Sequence, residues 1–105
     1  MTTLTLPVPR EALEAYCRRW KIEELAVFGS ALRSDFTPDS DVDVLVAFLP
    51  DADWSLLDHV QMQEELGGVL GRAVDLISKR AVERSENWIR RRSILESAQV
   101  IYAAR

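Results

Sequence analysis

The stretch GSALRSDFTPDSDVDVLV, at residues 29–46, joins a glycine–serine turn to two aspartates at the start of an apolar run. Asp41 and Asp43 are two positions apart, and alternate side chains of a strand share one face, about 7 Å apart along it. The valines that alternate with them therefore point towards a core. Two carboxylates on one half-buried face repel each other unless a cation lies between them. The pair suits a Mg²⁺ site, because Mg²⁺ prefers few carboxylates together with substrate phosphates. Taken alone, Asp-x-Asp is more often an acidic strand end that faces water.

The glycine–serine pair predicts a phosphate-binding turn. Gly29 and Ser30 follow a predicted strand, Ile22–Phe28, and precede a segment that can begin a short helix. Glycine lets a phosphate approach the backbone, the serine hydroxyl can donate to it, and a helix N-terminus favours an anion. Arg33, one turn further on, can pair with the same phosphate. Taken alone, Gly-Ser is more often a plain turn, and Arg33 is as often a solvated surface arginine.

Around this block the hydrophobic pattern predicts alternating helices and strands in a single α/β (α+β) domain spanning residues 1–105. Strands are predicted over Ile22–Phe28, Asp41–Phe48 and Ala73–Ile77. The predicted helices run over about 9–20, from an N-cap at Asp53 to Gly71 with Leu56, Leu57, Val60 and Leu66 inward, and from about Ser85 to about Ala98. The segment Gln99–Ala103 fits either the end of the last helix or a final extended segment.

Composition narrows the classes of function. The net charge of −4 argues against a dedicated duplex-binding protein, whose footprint is usually basic, and leaves a local basic patch open. The longest apolar run, Val44–Pro50, is too short to cross a bilayer. Cys17 is the only cysteine, so it forms no internal disulfide and holds no structural zinc by itself. With no charged-then-apolar leader at Met1–Arg10, we expect a cytoplasmic protein.

The motif block resembles the signature of the polymerase-beta nucleotidyltransferase superfamily. The resemblance rests on residues 29–36 and 40–46, extends over nearly the whole chain, and is greatest to the minimal nucleotidyltransferases, which are often partnered with HEPN proteins. The family pattern has a third carboxylate on a later strand, and Asp75, in an apolar Val-Asp-Leu-Ile context, matches it. An aspartate inside an apolar strand is costly to bury, which independently favours a metal, a partner or an open edge.

This resemblance implies a polymerase-beta-like fold, a small mixed sheet flanked by helices, and a role for each matched residue. Gly29 and Ser30 would hold the β- and γ-phosphates of an NTP. Arg33 and Ser40 would assist them. The implied ligands of two Mg²⁺ ions, and the catalytic residues, are Asp41, Asp43 and Asp75. Asp75 would complete the metal that activates the acceptor hydroxyl and act as the general base.

The function implied by the resemblance is transfer of NMP, with AMP the expected nucleotide, to a protein hydroxyl. The expected acceptor is a HEPN toxin, which makes this chain the antitoxin. One alternative is a non-catalytic module that neutralises a partner by contact through its last helix, where Trp88 and Arg90–Arg92 give a basic surface. Another is a transferase acting on a small molecule, such as an aminoglycoside, or on an RNA 3′ end. Self-association is also open.

Two further features are predicted to be structural. His59 is expected to be a surface or packing residue on the second helix. The three tryptophans, Trp20, Trp54 and Trp88, are expected to be core or interface anchors.

Overall fold

The structure, a computed structural model, describes residues 9–29 and 41–104. In chain order its elements are α1 (Arg10–Arg19), β1 (Ile22–Phe28), β2 (Val42–Phe48), α2 (Leu56–Leu70), β3 (Val74–Ser78), α3 (Lys79–Glu83), α4 (Trp88–Ser97) and β4 (Gln99–Ala103). The strands form one sheet in the order β3-β2-β1-β4. β1 is antiparallel to β2 and β4, whereas β2 and β3 are parallel. The predicted fold class, a small mixed sheet flanked by helices, is confirmed.

One face of the sheet is covered by α1 and α2 and carries the larger core. Val42, Val44 and Val46 alternate along β2 and are completely buried. They pack in one cluster with Leu13 and Cys17 of α1 and with Met62, Leu66 and Leu70 of α2. The predicted inward direction of the valines is therefore confirmed. Burying each of these side chains contributes about 1.5–3 kcal/mol to folding.

The opposite face carries a smaller core under α3 and α4. Ala26, Phe28 and Leu45 come from the sheet and pack against Val82 of α3 and Ile94 of α4. Leu45 lies two residues after Asp43 on β2, so the two side chains share this face. The smaller core therefore ends where the carboxylates begin.

The start of α2 differs from the prediction. Ser55 is the N-cap, and not Asp53, because Ser55 and Asp58 form a reciprocal capping box. The Ser55 hydroxyl accepts from the Asp58 backbone N–H, and the Asp58 carboxylate accepts from the Ser55 backbone N–H. Such a pair satisfies two backbone donors that the helix itself leaves unpaired. The other end is as predicted: Gly71 adopts the left-handed conformation, with φ of 70°, and ends the helix.

The prediction that Leu56, Leu57 and Val60 face inward is wrong. Their exposed fractions are 81%, 81% and 46%. The buried residues of α2 are Met62, Leu66 and Leu70, which recur every four positions and set the inward stripe. Leu57 and Val60 lie on the outer side of that stripe, and Leu56 is in the first turn. Only Leu66 of the four predicted residues is buried.

The C-terminal quarter contains more elements than predicted. The basic helix predicted from about Ser85 is present as α4, but it begins at Trp88. Its N-cap is Asn87, whose side chain accepts from the Arg90 backbone N–H. The five-residue helix α3, immediately after β3, was not predicted. The open alternative for the last segment is settled, because Gln99–Ala103 forms β4 and pairs with β1.

Two of the three tryptophans serve as core anchors. The rings of Trp20 and Trp54 meet edge to face, with centroids 5.0 Å apart. Trp54 Nε1 donates to the backbone oxygen of Trp20 at 2.8 Å, and Trp20 Nε1 donates to the Glu65 carboxylate of α2. Trp88, at the start of α4, is 58% exposed. No helix in the described residues is both long and apolar enough to span a membrane.

Candidate active site

The three aspartates of the sequence motif lie at one end of the sheet. Asp43 of β2 and Asp75 of β3 are direct partners in the parallel register. Paired residues of neighbouring strands point to the same face, and the strands are about 4.8 Å apart. Asp41 lies one residue before β2, at the same end. The structure therefore places Asp75 beside Asp43, on the face of the smaller core.

These carboxylates lie at the boundary between core and solvent. Asp41 and Asp75 are exposed, and Asp43 is half-buried. Val42 and Val74, their neighbours on the opposite face, are buried. The apolar positions thus hold the two strands in place while the intervening carboxylates remain accessible to a ligand from solvent.

Gly29 brings the end of β1 against Asp43. Its φ is +71°, a conformation that side chains with a Cβ rarely adopt. A Cβ built on this residue would lie 2.5 Å from Oδ2 of Asp43, well inside contact distance. Phe28, the preceding residue, pairs with Asp43 in the antiparallel register. The glycine is therefore needed for the backbone and the carboxylate to lie together. A phosphate held through a metal ion at Asp43 would lie next to the Gly29 backbone.

Three of the predicted nucleotide-binding residues, Ser30, Arg33 and Ser40, fall outside the described residues. Of the predicted set, the structure thus places Gly29 and the three aspartates, and it brings Gly29, Asp43 and Asp75 onto neighbouring positions of three elements.

The carboxylates of Asp41, Asp43 and Asp75 fit Mg²⁺ if each ion is held by one or two of them. Within residues 9–29 and 41–104, no group of three or more His, Cys, Asp and Glu side chains is arranged to hold a metal ion by itself. Mg²⁺ in nucleotide-using sites is usually held by one or two carboxylates plus phosphate oxygens and water. The in-register pair Asp43 and Asp75 supplies hard oxygen donors on adjacent strands, and Asp41 supplies another at the same sheet end. These residues are therefore suited to metal ions that bind together with a triphosphate.

A small cavity continues along the same face of the sheet. It encloses about 200 Å³ and is lined by Ile77, Ala81, Val82, Ser85, Arg90, Arg91 and Ile94. Ile77 is two residues after Asp75 on β3, so the cavity and the carboxylate share a face. The Arg91 guanidinium donates to the backbone oxygens of Glu83 and Ser85, at 3.2 and 3.4 Å, and joins α4 to the end of α3. The cavity is below the usual size of a small-molecule site, about 300–1,000 Å³, and suits a single side chain.

The outer edge of β3 is bonded by two side chains of α2. His59 Nε2 lies 2.8 Å from the backbone oxygen of Leu76, and Gln63 Oε1 accepts from the Leu76 backbone N–H at 2.9 Å. Leu76 directly follows Asp75. The sequence predicts His59 to be a surface or packing residue and does not identify a role for Gln63. Their spacing of four on a helix, flanking Met62, was the available signal.

Cys17 is remote from this chemistry. It is completely buried in the core on the other face of the sheet. Burial, and secondarily the charge of Glu14, raises the pKa of its thiol to about 12. The thiolate is the nucleophilic form, so Cys17 is suited to packing rather than to catalysis.

Comparison with known proteins places this chain in a family. The profile of the nucleotidyltransferase domain matches residues 9–101. The chain is 37% identical over 89 residues to the protein adenylyltransferase MntA of Thermococcus cleftensis, covering 79% of this chain and 86% of that protein.

Two solved structures share the fold. One is described as a minimal nucleotidyltransferase, with a TM-score of 0.63, 37% identity and 85% of each chain covered. The other is a toxin–antitoxin with AMP-PNP, with a TM-score of 0.68, 16% identity, and 93% of this chain and 76% of that chain covered. At 16% identity the second likeness supports the fold alone.

Proposed function

The chain belongs to the nucleotidyltransferase domain family, and we propose that it transfers AMP from ATP to a hydroxyl group of a partner protein. The observation that carries the proposal is the in-register pairing of Asp43 with Asp75 beside the left-handed Gly29. This arrangement brings carboxylates from two strands and an unobstructed backbone to one sheet end. Adenylylation of a protein agrees with the activity in the name of the Thermococcus cleftensis relative.

Each residue has a defined role in the proposed site. Gly29 and Ser30 contact the β- and γ-phosphates, assisted by Arg33 and Ser40. Asp41 and Asp43 would hold two Mg²⁺ ions, and Asp75 would supply a further ligand to the ion that activates the acceptor hydroxyl. The metal ions, when bound, neutralise the charge that develops on the phosphates and lower the pKa of the acceptor hydroxyl.

The proposed reaction is an in-line displacement at phosphorus. The acceptor oxygen forms a bond to the α-phosphorus of ATP, and the bond from that phosphorus to the bridging oxygen breaks. Pyrophosphate leaves with the electron pair of the broken bond. The acceptor proton passes to the Asp75 carboxylate, which the sheet holds beside Asp43 and open to the incoming hydroxyl.

The proposed acceptor is a HEPN toxin, with this chain acting as its cytoplasmic antitoxin. The similarity to minimal nucleotidyltransferases, which are often paired with HEPN proteins, supports this partner. The toxin–antitoxin neighbour shares this fold. The cavity lined by Ile77 and Arg90 lies on the same face of the sheet as Asp75 and is the size of one side chain, which suits it to hold part of the acceptor.

Labelling of the partner tests the proposal. The purified chain is incubated with α-labelled ATP, Mg²⁺ and the protein encoded beside it in the genome, and label is expected on that protein. Asp43→Asn and Asp75→Asn should each abolish labelling, because each removes a charged oxygen donor. Asp53→Asn is the matched control, since Asp53 is exposed in the turn before α2 and away from the site. Absence of label with all four NTPs, while the two proteins form a complex, would contradict the proposal.

A second candidate is a contact antitoxin that needs no chemistry. The start of α4 favours it, because Trp88 and Ile89 are 58% and 65% exposed beside Arg90. Exposed aromatic and arginine side chains are common anchors of protein interfaces. The double variant Asp41→Asn with Asp43→Asn separates the two candidates in cells. Neutralisation of the toxin by the folded double variant supports contact, and its loss supports transfer.

A further inference from the structure

β3 is an edge strand, and the backbone N–H and C=O of its residue Leu76 would be exposed without help from a helix. In a parallel pair, alternate residues direct their backbone N–H and C=O towards the neighbouring strand. The Val42 backbone N–H donates to the oxygen of Ala73, so Ala73 and Asp75 bond towards β2. Leu76 alternates with these residues, so its backbone N–H and C=O point away from β2, towards the open edge of the sheet. The buried side chains Val74 and Leu76 already favour one register of β3, and bonds to its open edge from another element can help to fix that register.

Two side chains of α2 occupy this open edge. The oxygen of Leu76 can only accept, so His59 Nε2, at 2.8 Å, is the donor. The Leu76 N–H can only donate, so Gln63 Oε1, at 2.9 Å, is the acceptor. His59 and Gln63 are one helical turn apart and both half-buried. Together they satisfy both backbone groups of one residue, as a further strand would.

We propose that His59 and Gln63 are positioning residues that fix the register of β3 and thereby hold Asp75 beside Asp43. The inference rests on the proposed function for the role of Asp75, but not for the bonding itself. A slip of β3 by one residue would turn Asp75 towards the α1–α2 core and Leu76 towards the face of the sheet that carries Asp43. The two side chains oppose that slip because they bond to the backbone of Leu76, the residue after Asp75. The helix that carries them is itself held in place, since its Met62 and Leu66 are packed in the larger core.

Hydrogen exchange of the Leu76 amide tests the bonding without metal, nucleotide or acceptor. Gln63→Leu removes the accepting oxygen while keeping the bulk, and we expect about tenfold faster exchange at Leu76. Gln63→Glu keeps an accepting oxygen and should retain protection. Gln61→Leu, the same change on the exposed side of α2, is the matched control and should leave the rate unchanged. Equal rates for Gln63→Leu and the wild type would overturn the inference.

Metal affinity and kinetics test the positioning. With Mn²⁺ as the probe and a non-hydrolysable ATP analogue present, Gln63→Leu and His59→Leu should weaken the Asp75-dependent Mn²⁺ binding by about tenfold, and Gln61→Leu should not. In the transfer assay kcat should fall while KM for ATP stays within about twofold, because Asp75 acts on the acceptor side. Gln63→Glu should restore both readouts. Unchanged Mn²⁺ affinity and kcat in both leucine variants would refute a positioning role.

These outcomes separate this inference from the proposed function. If the wild type labels no acceptor and binds no Mn²⁺ at Asp75, the transferase proposal fails, while the exchange rates still decide whether the pair fixes β3. If the wild type is active and Gln63→Leu is indistinguishable from Gln61→Leu in every readout, the positioning inference alone fails.

Discussion

Two glycines of this chain differ in what a methyl group would meet, and they form a matched pair for mutagenesis. Gly29→Ala would place a Cβ 2.5 Å from Asp43 Oδ2 at a φ of +71°. The left-handed conformation alone costs about 1–2 kcal/mol, and the carboxylate must also move. We expect lower stability and loss of at least about tenfold in transfer activity, since the displaced carboxylate would no longer be placed to hold the metal ion that binds the phosphates.

Gly68→Ala is the control for that change. Gly68 lies within α2, and nothing is within 4 Å of the Cβ it would gain. Alanine should therefore stabilise the protein by about 0.5–1 kcal/mol and leave activity unchanged. Urea unfolding and the labelling assay measure both effects. A Gly29→Ala variant as stable and active as Gly68→Ala would show that the contact with Asp43 is unimportant.

Cys17 gives a pH-dependent prediction. Burial raises the pKa of its thiol from 9.0 to about 12, so the folded state disfavours the thiolate. The stability that this group contributes is present below about pH 9, where the thiol is protonated in both states. It is lost as the pH rises towards about 12, because the unfolded chain ionises first. We expect the free energy of unfolding to fall over this alkaline range, and less so in Cys17→Ala.

Thiol alkylation checks the same burial near pH 8. Iodoacetamide should modify Cys17 slowly in the native protein and rapidly in denaturing urea, since only the exposed thiol ionises readily. Rapid native modification would contradict the position of Cys17 in the α1–α2 core.

At the level of single residues, the sequence predicts motif positions better than bonding partners. Asp43 and Gly29 are found because their chemistry depends on local spacing. The roles of His59 and Gln63 are not, because their partner is a backbone group on another element. The prediction of the N-cap of α2 is wrong for a similar reason. Asp53 and Ser55 are both good N-cap residues, and only the reciprocal bond with Asp58 selects Ser55.

Among the elements, α2 gives a direct test of which apolar residues stabilise the fold. Leu57→Gln should change the free energy of unfolding by less than about 0.5 kcal/mol, because Leu57 is 81% exposed. Leu66→Ala should lower it by about 2–5 kcal/mol, because a completely buried leucine leaves a cavity. Urea denaturation followed by circular dichroism measures both. If Leu57→Gln lowered the free energy of unfolding more than Leu66→Ala, Leu57 would face the core, as the sequence predicts, and the observed orientation of α2 would be wrong.

The strands show why some elements could be predicted and others not. β1 and β2 are apolar runs with clear ends, and their predicted bounds agree with the structure to within one residue. β4 was ambiguous because Gln99–Ala103 is short, and only its pairing with β1, about 75 residues earlier in the chain, decides its conformation. α3 has five residues and leaves too little periodicity to be recognised.

Across the whole molecule the two faces of the sheet are unequal. Among the described residues, fifteen buried side chains form the core under α1 and α2, and five form the core under α3 and α4. The carboxylates lie on the face with the smaller core. A face with less buried area is easier to open, so we expect the acceptor side of the proposed site to have the lower local stability. The sequence did not predict this asymmetry, because it depends on which helix covers which face.

Native-state hydrogen exchange should reveal this difference. We expect the amides of α4 to exchange by local opening, at a lower free energy than those of β1 and β2, which should exchange only by global unfolding. Ile94→Val removes one methylene from the smaller core, so it should speed exchange in α4 while leaving β2 close to its wild-type rate. Val44→Ala in the larger core is the counterpart and should speed exchange throughout the chain, because it lowers global stability. Equal opening free energies for α4 and β2 in the wild type would mean that the two cores unfold as one unit and that the carboxylate face has no separate flexibility.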